Sequence, residues 1–295
     1  MFSIIVPAHN EEQRIGSCIE HMLAGADVAD FEILVIANGC TDRSAQIAGA
    51  FGPPVRVIET PVASKSEALR LGDVAAKGFP RLYVDADVMT SAESIRRVVE
   101  TLERGPALAA APRMRVDLTD SSWAVRAYYD VWTRLPYHDA GMIGSGFYAL
   151  SEAGRGRFDF FPKIISDDGF ARLHFGPDER ATVEDAEFRI SAPSRLSGVL
   201  KIKTRSQKGA VQLHRLYPGL RVNDPRHYAG KLGAILAKPT MWPRAAVYLY
   251  VIALTKLRAY WLNYLGELDD WERDDTSRST VSGASLPAAE KRTVE

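Results

Sequence analysis

The sequence has few of the features that place a chain quickly. Only two of its 295 residues are cysteines, Cys18 and Cys40, too few for a disulfide framework and in no metal-ligand spacing. A reducing, cytoplasmic setting is the simplest expectation. Neither sign of charge dominates: 37 Lys+Arg balance 37 Asp+Glu, so overall charge does not argue for nucleic acid as a partner. No basic, apolar leader precedes the strand-like Phe2–Val6, so no signal peptide is expected. The uncharged run Ala245–Thr255 is too short for a bilayer span, which takes about 20 apolar residues. No internal repeat is seen. Two phosphate-binding signatures, G-x-G-x-x-G and G-x-x-x-x-G-K-[ST], are missing as well. The first strand runs instead into Pro7-Ala8-His9-Asn10-Glu11-Glu12, which counts against NAD enzymes and P-loop kinases.

What is present is an ordinary globular composition, 46% hydrophobic and 25% charged, with strand and helix patterns in alternation. Strands are expected at Phe2–Val6, Phe31–Ala37, Val55–Glu59, Arg81–Asp85 and Ala107–Ala111. Helices are expected at about Glu11–Ala24, Asp42–Phe51, Ser64–Lys77 and Ser91–Arg104. Such βαβα order implies an α/β fold, a mostly parallel sheet with helices on both faces. Past Ser121 the pattern loosens, with a short strand at Gly146–Leu150. This half is expected to build a second subsite on the same sheet.

The segment Leu82-Tyr83-Val84-Asp85-Ala86-Asp87-Val88 carries the most chemistry. In extended chain, residues two apart point to one side, so Asp85 and Asp87 would offer two hard oxygen ligands where the strand leaves the sheet. In open α/β sheets ligands bind at that carboxyl edge. Carboxylates suit Mg²⁺ or Mn²⁺, usually shared with substrate phosphates. Elsewhere bland readings compete: Asn10 suits an N-cap with Glu11 and Glu12 near a helix dipole, and Gly39 with Thr41 or Asp42 suits a turn and cap. Asn38 is left pointing from a strand end into the crevice of Asp85, where an amide could read a pyrimidine edge. Asp167 and Asp168, two adjacent acids at a helix start, read by themselves as caps.

IIVPAHNEE, VIANGCTDRSAQIA, SKSEALRLG and YVDADV, in this order and spacing over Phe2 to about Val88, resemble glycosyltransferase family 2. The resemblance implies a GT-A fold and inverting sugar transfer from a nucleotide-sugar donor (UDP-, GDP- or dTDP-). It implies that Pro7, His9 and Glu11 line the base and ribose pocket, and that Asn38 stands where the family usually has an Asp contacting the base. It further implies that Lys65 lies near the donor, and that Asp85 and Asp87 hold ribose and metal–diphosphate, the metal being Mn²⁺ or Mg²⁺. Gly144–Leu150 resembles the small-residue loop beneath donor sugar and acceptor, and its glycines read equally well as a structural turn before a strand. The Ile165–Phe170 stretch aligns with the family's acidic pair, which makes Asp168 the catalytic base beside Asp167. Inverting displacement needs one such base and no carboxylate nucleophile. The rival readings are a nucleotidyltransferase, disfavoured by an acidic first loop, and a silent nucleotide-sugar or carbohydrate-binding protein.

The basic run Lys201–Lys208 reads either as a solvated face or, in a nucleotide-sugar enzyme, as a mobile lid whose Arg205 meets the diphosphate. Gln212-Leu213-His214-Arg215 matches the first four positions of the Gln-x-x-Arg-Trp motif of processive synthases, but Leu216 replaces Trp, which argues against a polymerising enzyme. The expected organisation is a catalytic domain over 1–239 (donor half 1–112, acceptor half 113–239), a helical extension over 240–268 and a disordered tail over 269–295. Thr240–Leu265 reads either as a packed helix or as one lying in a membrane interface, with Arg244, Lys256 and Arg258 toward headgroups. The second reading would put the protein at the inner face of the cell membrane. Glycan, lipid-linked and small-molecule acceptors all suit the sequence, as do polysaccharide, glycolipid and natural-product pathways.

Overall fold

The computed structural model describes residues 1–135, 141, 145–224 and 229–264. Gly144, residues 265–268 of the expected extension and the 269–295 tail lie outside them. Strands β1 (Phe2–Ala8), β2 (Phe31–Asn38), β3 (Val55–Thr60) and β4 (Arg81–Val84) alternate with α1 (Ile15–Leu23), α2 (Ser44–Gly49) and α3 (Lys65–Ala75). The order then runs β5 (Met89–Thr90), α4 (Ala92–Arg104), β6 (Ala109–Asp117), α5 (Trp123–Trp132), β7 (Phe147–Leu150), α6 (Glu152–Arg155), α7 (Asp167–Arg172), β8 (Arg180–Ser191), α8 (Leu196–Leu216), α9 (Ala229–Leu236) and α10 (Trp242–Tyr264).

All eight strands join one sheet in the order β3-β2-β1-β4-β7-β6-β8-β5. β3, β2, β1 and β4 are mutually parallel, and Ile4, Ile5, Val6 and Ile33 through Ile36 are completely buried. Their unbroken apolar runs are what a strand covered on both faces needs. Beyond β4 the sheet is mixed: β7 runs antiparallel to β4 and β6, whereas β6 and β8 are parallel. β8 was hidden in the sequence because RATVEDAEFRIS is rich in charge. Its buried Val183, Ala186 and Phe188 supply the core face.

Two expected details change. The first helix starts at Ile15, because Asn10–Glu12 bonds sideways to the loop after β2 instead of capping. Asn10 takes φ 54° and its Oδ1 accepts from the Thr41 N–H at 2.8 Å. The Glu11 N–H donates to Ser44 Oγ at 2.7 Å, and the Glu12 N–H to Asp42 Oδ2 at 3.1 Å. The two loops at the carboxyl edge are thereby stitched together.

Below the sheet edge, Asp73 of α3 accepts from Arg81 Nη1 at 2.8 Å, the Tyr83 hydroxyl at 2.7 Å and Arg155 Nε at 2.9 Å. This buried network fastens α3 to β4 and α6. On the far side α10 packs on α5 and α8 through Tyr128, Tyr129, Val199, Leu200 and Val251, with Tyr128 and Tyr248 stacked at 5.6 Å. Among the described residues no helix is long and apolar enough to cross a membrane.

Candidate active site

Because β1, β2 and β4 are parallel and in register, their carboxyl ends emerge at one edge, and a cavity of about 330 Å³ opens there. Pro7, His9, Glu11, Asn38, Lys65, Asp85, Asp87, Asp167, Asp168 and Arg205 all line it. Every residue that the sequence marks as a site candidate is therefore brought to one place, although they span nearly 200 positions of chain.

The Asp85/Asp87 pair is not extended. β4 stops at Val84, and Asp85 to Val88 forms a tight turn closed by the Val88 N–H donating to Asp85 O at 3.0 Å. The turn is held from the other side by the Asp85 N–H donating to Gly146 O at 2.8 Å. Gly146 has φ +102°, and a Cβ there would stand 2.8 Å from Val88 Cγ2, so this approach requires glycine. Both aspartates still face the cavity, by turn geometry in place of strand alternation.

Lys65, the first residue of α3, sits between the two acidic groups. Its Nζ lies 2.8 Å from Asp85 Oδ1 and 3.2 Å from Asp167 Oδ1. Burial works against its charge, but Asp167, Asp85 and Asp168 outweigh it and raise the Lys65 pKa. Burial lifts the Asp167 carboxyl above the usual carboxylate range. Lys65 opposes that shift, while Asp168 and Asp85 add to it. Asp167 Oδ2 is buried without a hydrogen-bond partner among the described residues. Asp168 differs: Ser166 Oγ at 3.1 Å and the Gly169 N–H at 2.7 Å both donate to its Oδ1, which fixes the carboxylate and leaves Oδ2 available.

At the β1–β2 end, Asn38 is 2% exposed. Its Nδ2 donates to Ala8 O at 2.8 Å and to Ile36 O at 3.3 Å, while Oδ1 is buried with no partner among the described residues. The amide donor is thus consumed by backbone, and only an acceptor is presented. His9 Nδ1 bonds the Asn38 carbonyl.

The opposite wall comes from helices. The basic run 201–208 is not a lid but the middle of α8, a 21-residue helix. Its buried residues are Gly198, Val199, Leu200, Thr204, Lys208, Gly209, Gln212 and Leu213, which recur about once per turn along its inner side. Arg205 stays on the exposed side at the cavity. Three contributors were not singled out from sequence: Lys203, Trp132 and Tyr129. The Lys203 ammonium lies 3.7 Å from the Trp132 ring centroid, and burial pushes its pKa down to about 7. A helical period under the charges, Val199-x-x-x-x-Thr204-x-x-x-Lys208-x-x-x-Gln212, was the signal that could have found this helix. Gln212 Oε1 accepts from the Ile165 N–H at 2.9 Å, steadying the segment that leads to Asp167 and Asp168.

Among the described residues no three His, Cys, Asp or Glu side chains are grouped to hold a metal ion alone. The donor set still suits a hard cation: two carboxylates at an open cavity, with remaining positions for phosphate oxygens and water, are how Mg²⁺-type ions are usually bound.

Residues 3–149 match the family model described as Glycosyl transferase family 2. The chain belongs to glycosyltransferase family 2. The family match spans β1 to β7, so Asp167, Asp168 and the α8 wall lie beyond it. An uncharacterized glycosyltransferase of Bacillus subtilis, EpsJ, is 34% identical over 107 residues, covering 35% of this chain and 31% of that protein. The dolichyl-phosphate beta-glucosyltransferase of Drosophila melanogaster is 34% identical over 101 residues, covering 30% of this chain and 31% of its own. The chain thus spans about a third of the length of these relatives. Among solved structures, the Pyrobaculum calidifontis mannosyltransferase PcManGT, in complex with GDP-Man and Mn²⁺, superposes with TM-score 0.60 over 90% of this chain and 79% of that one at 18% identity. Glucosyl-3-phosphoglycerate synthase of Mycobacterium tuberculosis, with Mn²⁺, UDP and glucosyl-3-phosphoglycerate, gives 0.52 over 73% of this chain and 79% of its own at 22% identity. Both likenesses establish the shared fold of this family 2 chain.

Proposed function

We propose that this protein transfers a sugar from a nucleoside-diphosphate sugar to an acceptor hydroxyl with inversion. The observation that carries the reading is the single cavity in which base-edge, diphosphate-edge and acidic-pair residues meet. Pro7, His9 and Glu11 flank the nucleoside, with Asn38 at the base. An unpaired buried acceptor at Asn38 Oδ1 suits the ring N–H of uracil, thymine or guanine and not the ring nitrogen acceptors of cytosine or adenine. A carboxylate at this position would also only accept, so Asn38 keeps the polarity of the more usual Asp.

Asp87, with Asp85, would hold Mn²⁺ or Mg²⁺, which when bound spreads the charge of the departing diphosphate. The two fold neighbours bind Mn²⁺ with GDP-Man or UDP, which supports this choice. Arg205 and Lys203 meet the diphosphate or an anionic acceptor from the helical wall. Asp168 Oδ2 takes the proton of the acceptor hydroxyl as its oxygen bonds the anomeric carbon. The bond from that carbon to the β-phosphate oxygen breaks, and the nucleoside diphosphate leaves with the electron pair. Asp167, tied to Lys65 through Oδ1 and with Oδ2 buried, is less suited to that role. Two unbridged thiols, Cys18 and Cys40, agree with work in a reducing cytoplasm. The acceptor is a glycan, a small molecule or a lipid-linked group, the last by analogy with the dolichyl-phosphate enzyme.

A thermal-shift comparison of UDP, dTDP, GDP, CDP and ADP with Mn²⁺ tests the site. A ligand at 100 times its dissociation constant adds about 2.7 kcal/mol of stability. Stabilisation by one of the first three, lost in Asp87→Ala, is expected, together with slow metal-dependent release of nucleoside diphosphate from the matching sugar donor. Release of pyrophosphate would instead support nucleotidyl transfer, and binding without turnover a silent module.

A further inference from the structure

We propose that the outer face of α10 docks on an anionic lipid surface. α10 is apolar nearly all round, which normally marks a helix buried on all sides. Among the described residues only one side is covered: Ala245, Val251, Thr255 and Ala259 are buried, with α10 packed on α5 and α8. Trp242, Leu249, Tyr250, Leu257, Tyr260 and Trp261 are 43–67% exposed. At 100° per residue these six fall within an arc of about 120°, along a helix about 34 Å long. They are one continuous strip and not scattered apolar residues, and such a strip marks an interaction site.

Charge identifies the occupant. The whole chain is neutral, yet residues 196–264 hold 12 Lys and Arg against a single acid, Asp224. On α10 the strip is bordered by Lys256 and Arg258, and Lys238 stands just before it. All three are exposed and without a carboxylate partner among the described residues. Arg244, expected among the headgroup contacts, is instead tied to Asp130, with its Nε 3.1 Å from Oδ2. Trp and Tyr at both ends of an apolar strip, with lysine and arginine at its margin, are what the headgroup region of an anionic bilayer accommodates. A second copy of this chain would bring the same net positive surface toward itself, which disfavours self-association through this face. The helix would lie in the interface without spanning it, with the sugar-transfer cavity held near the lipid surface because α8, which lines that cavity, packs on α10.

The test is co-sedimentation of the full chain with vesicles of phosphatidylcholine alone or with 30% phosphatidylglycerol. The parent should pellet with the anionic vesicles at low salt, and less so as salt rises. Leu257→Asp with Trp261→Asp should abolish pelleting. Lys256→Gln with Arg258→Gln should weaken it about 30-fold, since each basic residue near an anionic surface contributes about 1 kcal/mol. Both pairs are solvent-facing, and an unchanged circular dichroism spectrum and nucleoside-diphosphate thermal shift would show an intact fold and cavity. The proposal is overturned if the parent stays in the supernatant, or if the double aspartate variant pellets as the parent does. It is also overturned if the parent sediments as a dimer that this variant splits, which would assign the face to a second copy. None of these outcomes bears on sugar transfer, which the thermal shift reports separately.

Discussion

The two walls of the cavity are built by opposite means. The sheet wall is acidic, set by parallel strands whose ends are fixed in register. Glu11, Asp85 and Asp87 stand on the loops that leave those strands, and Asp167 and Asp168 of α7 join them around Lys65 of α3. The helical wall is basic and aromatic, and its residues are placed by side-chain packing of α5, α8 and α10. Backbone hydrogen bonds enforce a register to a fraction of an ångström, so the sheet wall can hold carboxylates against one another's repulsion. Helix packing tolerates small shifts, which suits a wall that adapts to different anionic groups. Conserving the proton-accepting chemistry and varying the partner would divide along this line.

The sharpest test of the division is Asp168→Asn, which keeps the shape and removes the proposed base. Turnover should fall by about 10²- to 10⁴-fold while donor affinity, read by calorimetry with Mn²⁺, stays the same. Asp167→Asn should lower donor affinity as well, because it releases Lys65 from one of its two carboxylates. If Asp167→Asn alone destroys turnover, the two roles must be exchanged.

The rigidity of the sheet wall has its own test in Asp73. Removing it strands Arg81 and Arg155 in a buried site. Asp73→Ala should cost about 3–5 kcal/mol in urea denaturation, the usual penalty for breaking a buried ion pair from one side. A loss below 1 kcal/mol would mean that water replaces the carboxylate and that the network is not what fastens α3 to β4.

The same division explains what could be read in the sequence. Short-range patterns specify β1 to β4, so the alternation of strands and the Asp85/Asp87 pair were visible in the residues themselves. The turn at Asp85–Val88 was not, because it depends on Gly146, about 60 positions away. The charge on Lys201–Lys208 concealed a helix whose buried stripe includes Lys208 and Gln212, residues that rarely go inside without partners. The reading of Asn10 as a cap failed for a related reason: Thr41, across the sheet edge, competes for its side chain. Residues whose role is set by a distant element are the ones that sequence logic misplaces.

Gln212 joins the two walls and is the place to ask whether they are coupled. Its Oε1 holds the Ile165 N–H, two residues before Asp167. Gln212→Leu should lower kcat about tenfold with donor KM unchanged, because the acidic pair loses its support while the nucleotide end does not. Gln212→Glu retains the acceptor and should recover most of the loss. A rise in donor KM would show that Gln212 serves general stability instead.

The smallest expected effect, and the one that isolates the helical wall, comes from Lys203. Burial against Trp132 pushes its ammonium down to about 7, so the group is charged below that pH and neutral above it. An anion bound at this wall should therefore bind more weakly as pH rises through about 7. The loss is about fivefold, on the scale of ~1 kcal/mol for a partly exposed charge pair. Stability moves the other way. With a folded pKa below the unfolded value of about 10.4, the unfolded chain carries more protons between those limits, so the fold gains stability as pH rises from about 7 toward 10.4. Lys203→Met should abolish both slopes, and Lys203→Arg should keep the anion affinity high beyond pH 8. Nucleoside-diphosphate titrations at pH 6 and pH 8.5 decide the matter: equal affinities in the parent would place Lys203 outside the anion site and leave Arg205 as the basic residue of that wall.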